Sequence, residues 1–254
     1  MLATNHQADP GLAARSPHGW RRWLRDLGQR EPERLATSGA ILLAGFIAAV
    51  LLLYGFAWLA YAVLEQQTQA LDLAALSALH GFASPQLTLA ANGISLLGSQ
   101  AVILICLALL SLFIYQSRWG TAVTLLVVTA GAQILNDILK ELFHRARPEP
   151  ISGFIDAQQF SFPSGHAMVS AAFYLYIAYL TWHLLAGCWR ILLAAALVLL
   201  VLLIGVARVY LEAHYLSDVI AGYLAGLLWT DAVILGTRAL SLRRHRSALR
   251  TPVT

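Results

Sequence analysis

Long apolar runs separated by short polar segments set the pattern of this chain. The first run covers about residues 38–64, and five more follow at about 97–116, 120–140, 166–186, 190–207 and 216–237. Each approaches the roughly 20 residues that a helix needs to cross a hydrocarbon core about 30 Å thick, so the pattern predicts six membrane-spanning helices. Residues 65–86 are mixed in character, and Leu71, Leu76, Leu79 and Phe82 suit one face of a short helix in the interface, with no chemistry evident in it. Residues 1–37 are polar, rich in Arg, Pro and Gly and without sustained periodicity. Ala60-Tyr61-Ala62 has the small-x-small form of a signal-peptidase site. Both the leader and the apolar run are too long for a cleaved signal, so the first run is expected to persist as a span.

Composition strengthens this picture. Of 254 residues, 59% are hydrophobic and only 12% charged, whereas soluble domains carry charge on about a quarter of their residues. The expected fold is therefore all-α, an integral membrane bundle at residues 38–237. A cytoplasmic segment at 1–37 and a basic cytoplasmic tail at 238–254 are expected to flank it. Cys106 and Cys188 suggest neither a disulfide framework nor a thiolate metal site. The net charge of +4 resides largely in tails and hairpins, which fits topology and anionic lipid and points away from nucleic acid.

Arginine placement orients the bundle. Six arginines precede the first span, Arg118 and Arg190 mark two tight hairpins, and five more lie between Arg238 and Arg250. An inside amino terminus puts all of these on the cytoplasmic face, as the positive-inside rule requires. Arg145, Arg147, Arg208 and the single lysine, Lys140, are left at the opposite face. Snorkelling accounts for Arg145, Glu141 and Glu149, and His144 reads as interfacial; His80 and His183 read as structural.

The remaining charges form three clusters: Lys140 with Arg147-Pro148, then Pro163-Ser164-Gly165-His166, then Arg208 with His214 and Asp218. The six-span topology puts all three at one membrane face. Three cations with many donors suit a phosphoryl group, and the start of the fourth span at Ser164-Gly165-His166 adds the positive end of a helix. His214 and Asp218 are one helical turn apart, so on a continuous helix the carboxylate would hold one ring nitrogen and leave the other to attack phosphorus. His166 remains to protonate the leaving group. Zinc at His166, His214, Asp218 and Asp137 is disfavoured by the neighbouring cations and by the absence of His-Glu-x-x-His spacing. No Gly-x-Ser-x-Gly elbow makes Ser164 a nucleophile. Gly222 and Gly226 read as a helix-packing pair, and Asn136 and Asp137 stay outside the expected site.

Lys-x6-Arg-Pro at 140–148, Pro-Ser-Gly-His at 163–166 and Arg-x5-His-x3-Asp at 208–218 together resemble the signature of the type 2 phosphatidic acid phosphatase family. The resemblance extends to the six-span layout over roughly residues 38–237. It implies His214 as nucleophile, Asp218 as its orienting partner and His166 as acid. It gives the phosphoryl oxygens to Lys140, Arg147, Arg208, Ser164 and Gly165, and it implies neither metal nor cofactor. The expected enzyme is a lipid phosphatase of a bacterial inner membrane, with its site at the extracytoplasmic face. Its candidate substrates are undecaprenyl pyrophosphate, phosphatidylglycerol phosphate and phosphatidic acid. A lipid phosphotransferase of the same superfamily shares the chemistry up to the covalent intermediate, and an anion transporter is the non-catalytic alternative. Nothing in the sequence fixes an oligomeric state. One position departs from the family pattern: Ala207 replaces the serine that usually precedes the arginine, and one hydroxyl contact is expected to be lost, typically about 0.5 to 1.5 kcal/mol.

Overall fold

The computed structural model describes residues 19–149 and 160–250, with side chains at 39–149, 160–182 and 185–243. Residues 1–18, 150–159 and 251–254, and the side chain of His183, lie outside the described residues. The regular structure described is all helical: α1 (Gly19–Leu64), α2 (Gln69–His80), α3 (Pro85–Leu97), α4 (Gln100–Tyr115), α5 (Trp119–Phe143), α6 (Gly165–Leu184), α7 (Cys188–Tyr210) and α8 (Leu216–Arg250). The chain divides into two units, Met1–Phe46 and Ile47–Thr254. The first contains the start of α1, and the second contains every other helix and the site.

Among the described residues, five segments are long and apolar enough to cross a membrane: Gly39–Leu64, Pro85–Tyr115, Trp119–Phe143, Cys188–Tyr210 and Leu216–Arg243. They carry lipid-compatible surfaces, with Leu104, Ile138, Leu192 and Leu199 exposed. The run expected at 166–186 is α6, which has 20 residues and is enclosed by α5, α7 and α8. Its Ala167, Met168, Ala171, Ala172 and Phe173 are buried. Facing neighbours on several sides, it carries Ser170, Tyr174 and Tyr176 in place of a uniformly apolar surface.

Three boundaries differ from the sequence pattern. α1 begins at Gly19, so part of the polar leader is helical; once a long apolar run has nucleated a helix, each further residue costs little. The second apolar segment starts at Pro85 and is broken between α3 and α4 at Gly98-Ser99. A Cβ at Gly98 would stand 2.6 Å from Ile204 Cγ2, so the break lets α7 approach closely. α8 continues past residue 237 to Arg250.

The two arginine-marked hairpins form as expected, joining α4 to α5 and α6 to α7. Gly187 turns the second with φ of 62°, a conformation that costs glycine little. Gly222 and Gly226 pack α8 onto α6 within the chain: Cβ atoms there would meet Ser164 O at 2.7 Å and Met168 O at 2.4 Å. Phe56 of α1, Phe143 of α5 and Phe162 form an aromatic cluster that anchors the approach to α6.

Candidate active site

The turn between α7 and α8 carries His214, and α8 carries Asp218 in its first turn. Both are buried. His214 precedes the helix, so the expectation of one continuous helical turn is corrected: its Nδ1 lies 3.7 Å from Asp218 Oδ2 and only 2.9 Å from the backbone carbonyl of Ser161. A carbonyl only accepts, so Nδ1 of the neutral ring carries the proton and Nε2 keeps its lone pair. The Ser161 hydroxyl donates to Asp218 Oδ2, and that oxygen also accepts from the Tyr215 amide at 2.9 Å. Asp218 therefore holds the turn as well as facing the imidazole.

Burial pushes His214 down to about 4, against the nearby Asp218 carboxylate, with Arg208 and Arg147 adding to the depression. A depressed histidine pKa means the neutral ring dominates above that value and protonation switches off its lone pair below it. His214 should thus contribute no acid limb to the pH dependence of kcat/KM between about pH 5 and 8. A titration near 6.5 that disappears only on His214 substitution would contradict this.

The other clusters meet the same turn. The Ser164 amide donates to the Asp218 carbonyl at 3.0 Å, and the Ser161 amide donates to the Arg145 carbonyl at 2.8 Å. Ser164 caps α6 without a side-chain capping bond. Its hydroxyl is buried and has no hydrogen-bond partner among the described residues, a costly state unless a ligand supplies one. Asn136, buried on α5, donates through Nδ2 to the Pro163 carbonyl at 3.2 Å and packs where a Cβ of Gly165 would be, 2.8 Å from its Oδ1.

His166 lies within electrostatic reach of Arg208, His214, Lys140 and Arg147. Lys140 likewise senses Arg147, Arg208, Asp137 and Asp218. All eight residues expected from the sequence therefore belong to one neighbourhood at the ends of α5 and α7 and the starts of α6 and α8. Cations within electrostatic reach of one another and of the start of α6 favour a multiply charged anion. A cavity of about 680 Å³ takes in Lys140, Gly165 and His166 of this cluster, with Gln133, Asn136 and Asp137 beside them and Val102, Leu107, Leu110 and Leu126 among its apolar lining.

Two expectations are overturned. Arg145 does not snorkel: only 13% of its side chain is exposed, and it pairs with Asp72 at 2.8 Å and Asp218 at 2.5 Å while covering the Tyr215 ring at 4.3 Å. Burial opposes its charge, but the Asp218 and Asp72 carboxylates raise it above the ordinary arginine range. The segment expected to lie in the interface is also tied to the site, because α2 supplies Asp72, which is fully buried and paired with Arg145. The face expected for α2 holds in part: Leu76 is buried with Leu79 packed beside it, whereas Leu71 and Phe82 are exposed. Asp72 and Leu76, four residues apart, mark the buried stripe, and a carboxylate on that stripe was the available signal.

Other readings hold or gain detail. Glu141 and His144 are exposed and 3.8 Å apart, as interfacial side chains would be. His80 is structural through its 2.7 Å contact with Glu212. Ala207 offers no hydroxyl, but Arg208 Nη1 donates to the buried Ser95 on α3 at 2.9 Å. Asn136 and Asp137, set outside the expected site, both line the cavity, whereas Ser161 and Ser95 carry no signal in the sequence, since each acts from outside the local motif it supports.

Comparison with known proteins agrees with this geometry. Residues 121–240 match the model of the PAP2 superfamily. Phosphatidylglycerophosphatase B of Bacillus subtilis strain 168 is 35% identical over 178 residues, covering 68% of this chain and 86% of that protein. Lipid A 1-phosphatase of Rhizobium etli is 35% identical over 124 residues, 44% of this chain and 48% of that protein. Among solved structures, the transmembrane PAP2-type phosphatidylglycerolphosphate phosphatase of Bacillus subtilis matches with a TM-score of 0.66 at 29% identity, covering 77% of this chain and 96% of the other. Aquifex aeolicus LpxE matches with a TM-score of 0.50 at 25% identity, covering 65% and 94%. With the family model matched at residues 121–240 and a relative matched over most of that relative's length, the chain belongs to the PAP2 superfamily.

Proposed function

We propose that this protein hydrolyses the phosphate of a lipid head group, phosphatidylglycerol phosphate first among the candidates, through a phosphohistidine at His214. The observation that carries the reading is a cavity whose lining joins Lys140, Gly165 and His166 to apolar side chains of α4 and α5. A phosphate at Lys140 and His166 leaves an attached chain beside Leu107, Leu110 and Leu126 on α4 and α5. The extent of the match to phosphatidylglycerophosphatase B puts that lipid ahead of undecaprenyl pyrophosphate and phosphatidic acid.

In this reading the Nε2 lone pair of His214 attacks phosphorus. A nitrogen–phosphorus bond forms as the ester phosphorus–oxygen bond breaks, and His166 delivers a proton to the departing oxygen. Water then gives a proton back to His166 and attacks phosphorus, breaking the nitrogen–phosphorus bond and releasing inorganic phosphate. Lys140, Arg147, Arg208, Ser164 and the Gly165 amide hold the phosphoryl oxygens, and Asp218 offsets the charge that His214 gains. The layout proposed is six spans, with α6 as the fourth, both termini cytoplasmic and the site extracytoplasmic, supported by the arginine distribution. A reporter fused after Arg250 and found extracytoplasmic would overturn that orientation.

The decisive test is phosphate release by purified protein in detergent with excess chelator, against the three lipids. Release from phosphatidylglycerol phosphate at the highest kcat/KM supports the assignment; no release from any of them removes it. Ala130→Trp, which fills the cavity from α5, should lower kcat/KM for long-chain lipid by about 10-fold or more. A dihexanoyl analogue should be affected far less, and equal losses for both would mean that the chain does not lie there.

A further inference from the structure

Helix α2 reaches the site through one side chain. Asp72 Oδ1 accepts from the Ser217 amide at 2.8 Å, and Oδ2 accepts from the Ser217 hydroxyl at 2.6 Å and from Arg145 Nη2 at 2.8 Å. The other arm of the same guanidinium, Nη1, donates to Ser217 Oγ at 2.7 Å and Asp218 Oδ1 at 2.5 Å. Its face covers Tyr215. Tyr215, Ser217 and Asp218, close after His214 in the chain, are thus all gripped from outside their own segment.

A planar guanidinium is suited to this task, because its two arms fix the separation and relative orientation of two carboxylates. The charges alternate from Asp72 to Arg145 to Asp218. Arg145 alone would cancel Asp218; with Asp72 beyond it, the trio keeps one net negative charge facing His214. That charge is needed when the ring becomes positive on bonding to phosphorus.

We propose that Asp72 and Arg145 are positioning residues for the attack of His214 on phosphorus, acting through Ser217 and Asp218 to fix the His214 ring and to preserve the negative charge behind it. The inference rests on His214 being the nucleophile. α2 is then part of the catalytic scaffold, clamping the α7–α8 turn by one buried ion-pair chain. The two residues touch no substrate in this role, so their loss acts on turnover more than on binding.

The test compares wild type, Asp72→Asn and His214→Ala as full-length protein in detergent, with phosphate release and single-turnover phosphoenzyme trapping by alkaline quench. Asp72→Asn keeps the side-chain size and removes the charge. The expected result is a folded protein with kcat about 100-fold lower, KM near wild type and phosphoenzyme formation slowed in parallel. A folded Asp72→Asn with wild-type kcat, or with raised KM and unchanged kcat, overturns the proposal. If Asp72→Asn does not fold, Ser217→Ala, which deletes only the hydroxyl shared by Asp72 and Arg145, is judged by the same split. Turnover by His214→Ala would remove the nucleophile assignment and this inference with it. Inactive His214→Ala beside normal Asp72→Asn would remove this inference alone.

Discussion

His214→Ala should abolish phosphate release, lowering kcat by about 10⁴- to 10⁶-fold, the scale seen when a covalent nucleophile is deleted. His214 is the imidazole whose Nδ1 is committed to the Ser161 carbonyl, which fixes Nε2 as the free base. His166→Ala should behave differently. It removes the proton donor, worth about 10² to 10⁴ in rate, and a leaving group that departs readily as an anion does not need that proton. A p-nitrophenyl phosphate ester should therefore recover much of the activity of His166→Ala and none of the activity of His214→Ala. The reverse pattern, rescue of His214→Ala by the better leaving group, would exchange the two roles.

The residues bearing on this prediction were legible in the sequence because each cluster is local. Pro-Ser-Gly-His announces a helix start, which α6 provides at Gly165, and Arg-x5-His-x3-Asp spans one helix end, one turn and the next helix start. Five of the six apolar runs overlap helices long and apolar enough to cross a membrane among the described residues, the sixth is the enclosed α6, and the arginine-marked hairpins join α4 to α5 and α6 to α7. Arg145 was misread for the converse reason. Considered alone, an arginine just beyond a membrane helix has the interface as its default partner. Its actual partners, Asp72 and Asp218, each lie 73 positions away, and no periodicity within one element encodes that meeting. Ser161 was equally silent, because its carbonyl holds His214 and any residue type supplies a carbonyl. The α3–α4 break was hidden for a similar reason: Gly98 reads as one glycine in an apolar stretch until Ile204 is seen against it.

Gly226→Ala should show how closely the two catalytic helices are coupled. A Cβ at that position would lie 2.4 Å from the Met168 carbonyl and 3.1 Å from Ala171 Cβ. The nearer contact is helix backbone, which has no rotamer to change, so α8 must shift away from α6. Overpacking of this kind costs about 1 to 3 kcal/mol, and the melting temperature should fall accordingly. Activity should fall further than stability accounts for. α8 carries Asp218 and follows directly from His214, while α6 opens with Ser164, Gly165 and His166, so separating the helices separates the proposed nucleophile from the proposed acid and phosphate cradle. A displacement of about 1 Å at reacting groups can cost on the order of 100-fold in rate. Gly236→Ala provides the control on the same helix: nothing lies within 4 Å of its Cβ position, and alanine there should stabilise by about 0.5 to 1 kcal/mol through helix propensity. If both variants melt and turn over alike, the α6–α8 contact does not set the geometry of the site. If only Gly226→Ala loses kcat while remaining folded, the small-residue seam acts as the spacer between the two halves of the catalytic centre.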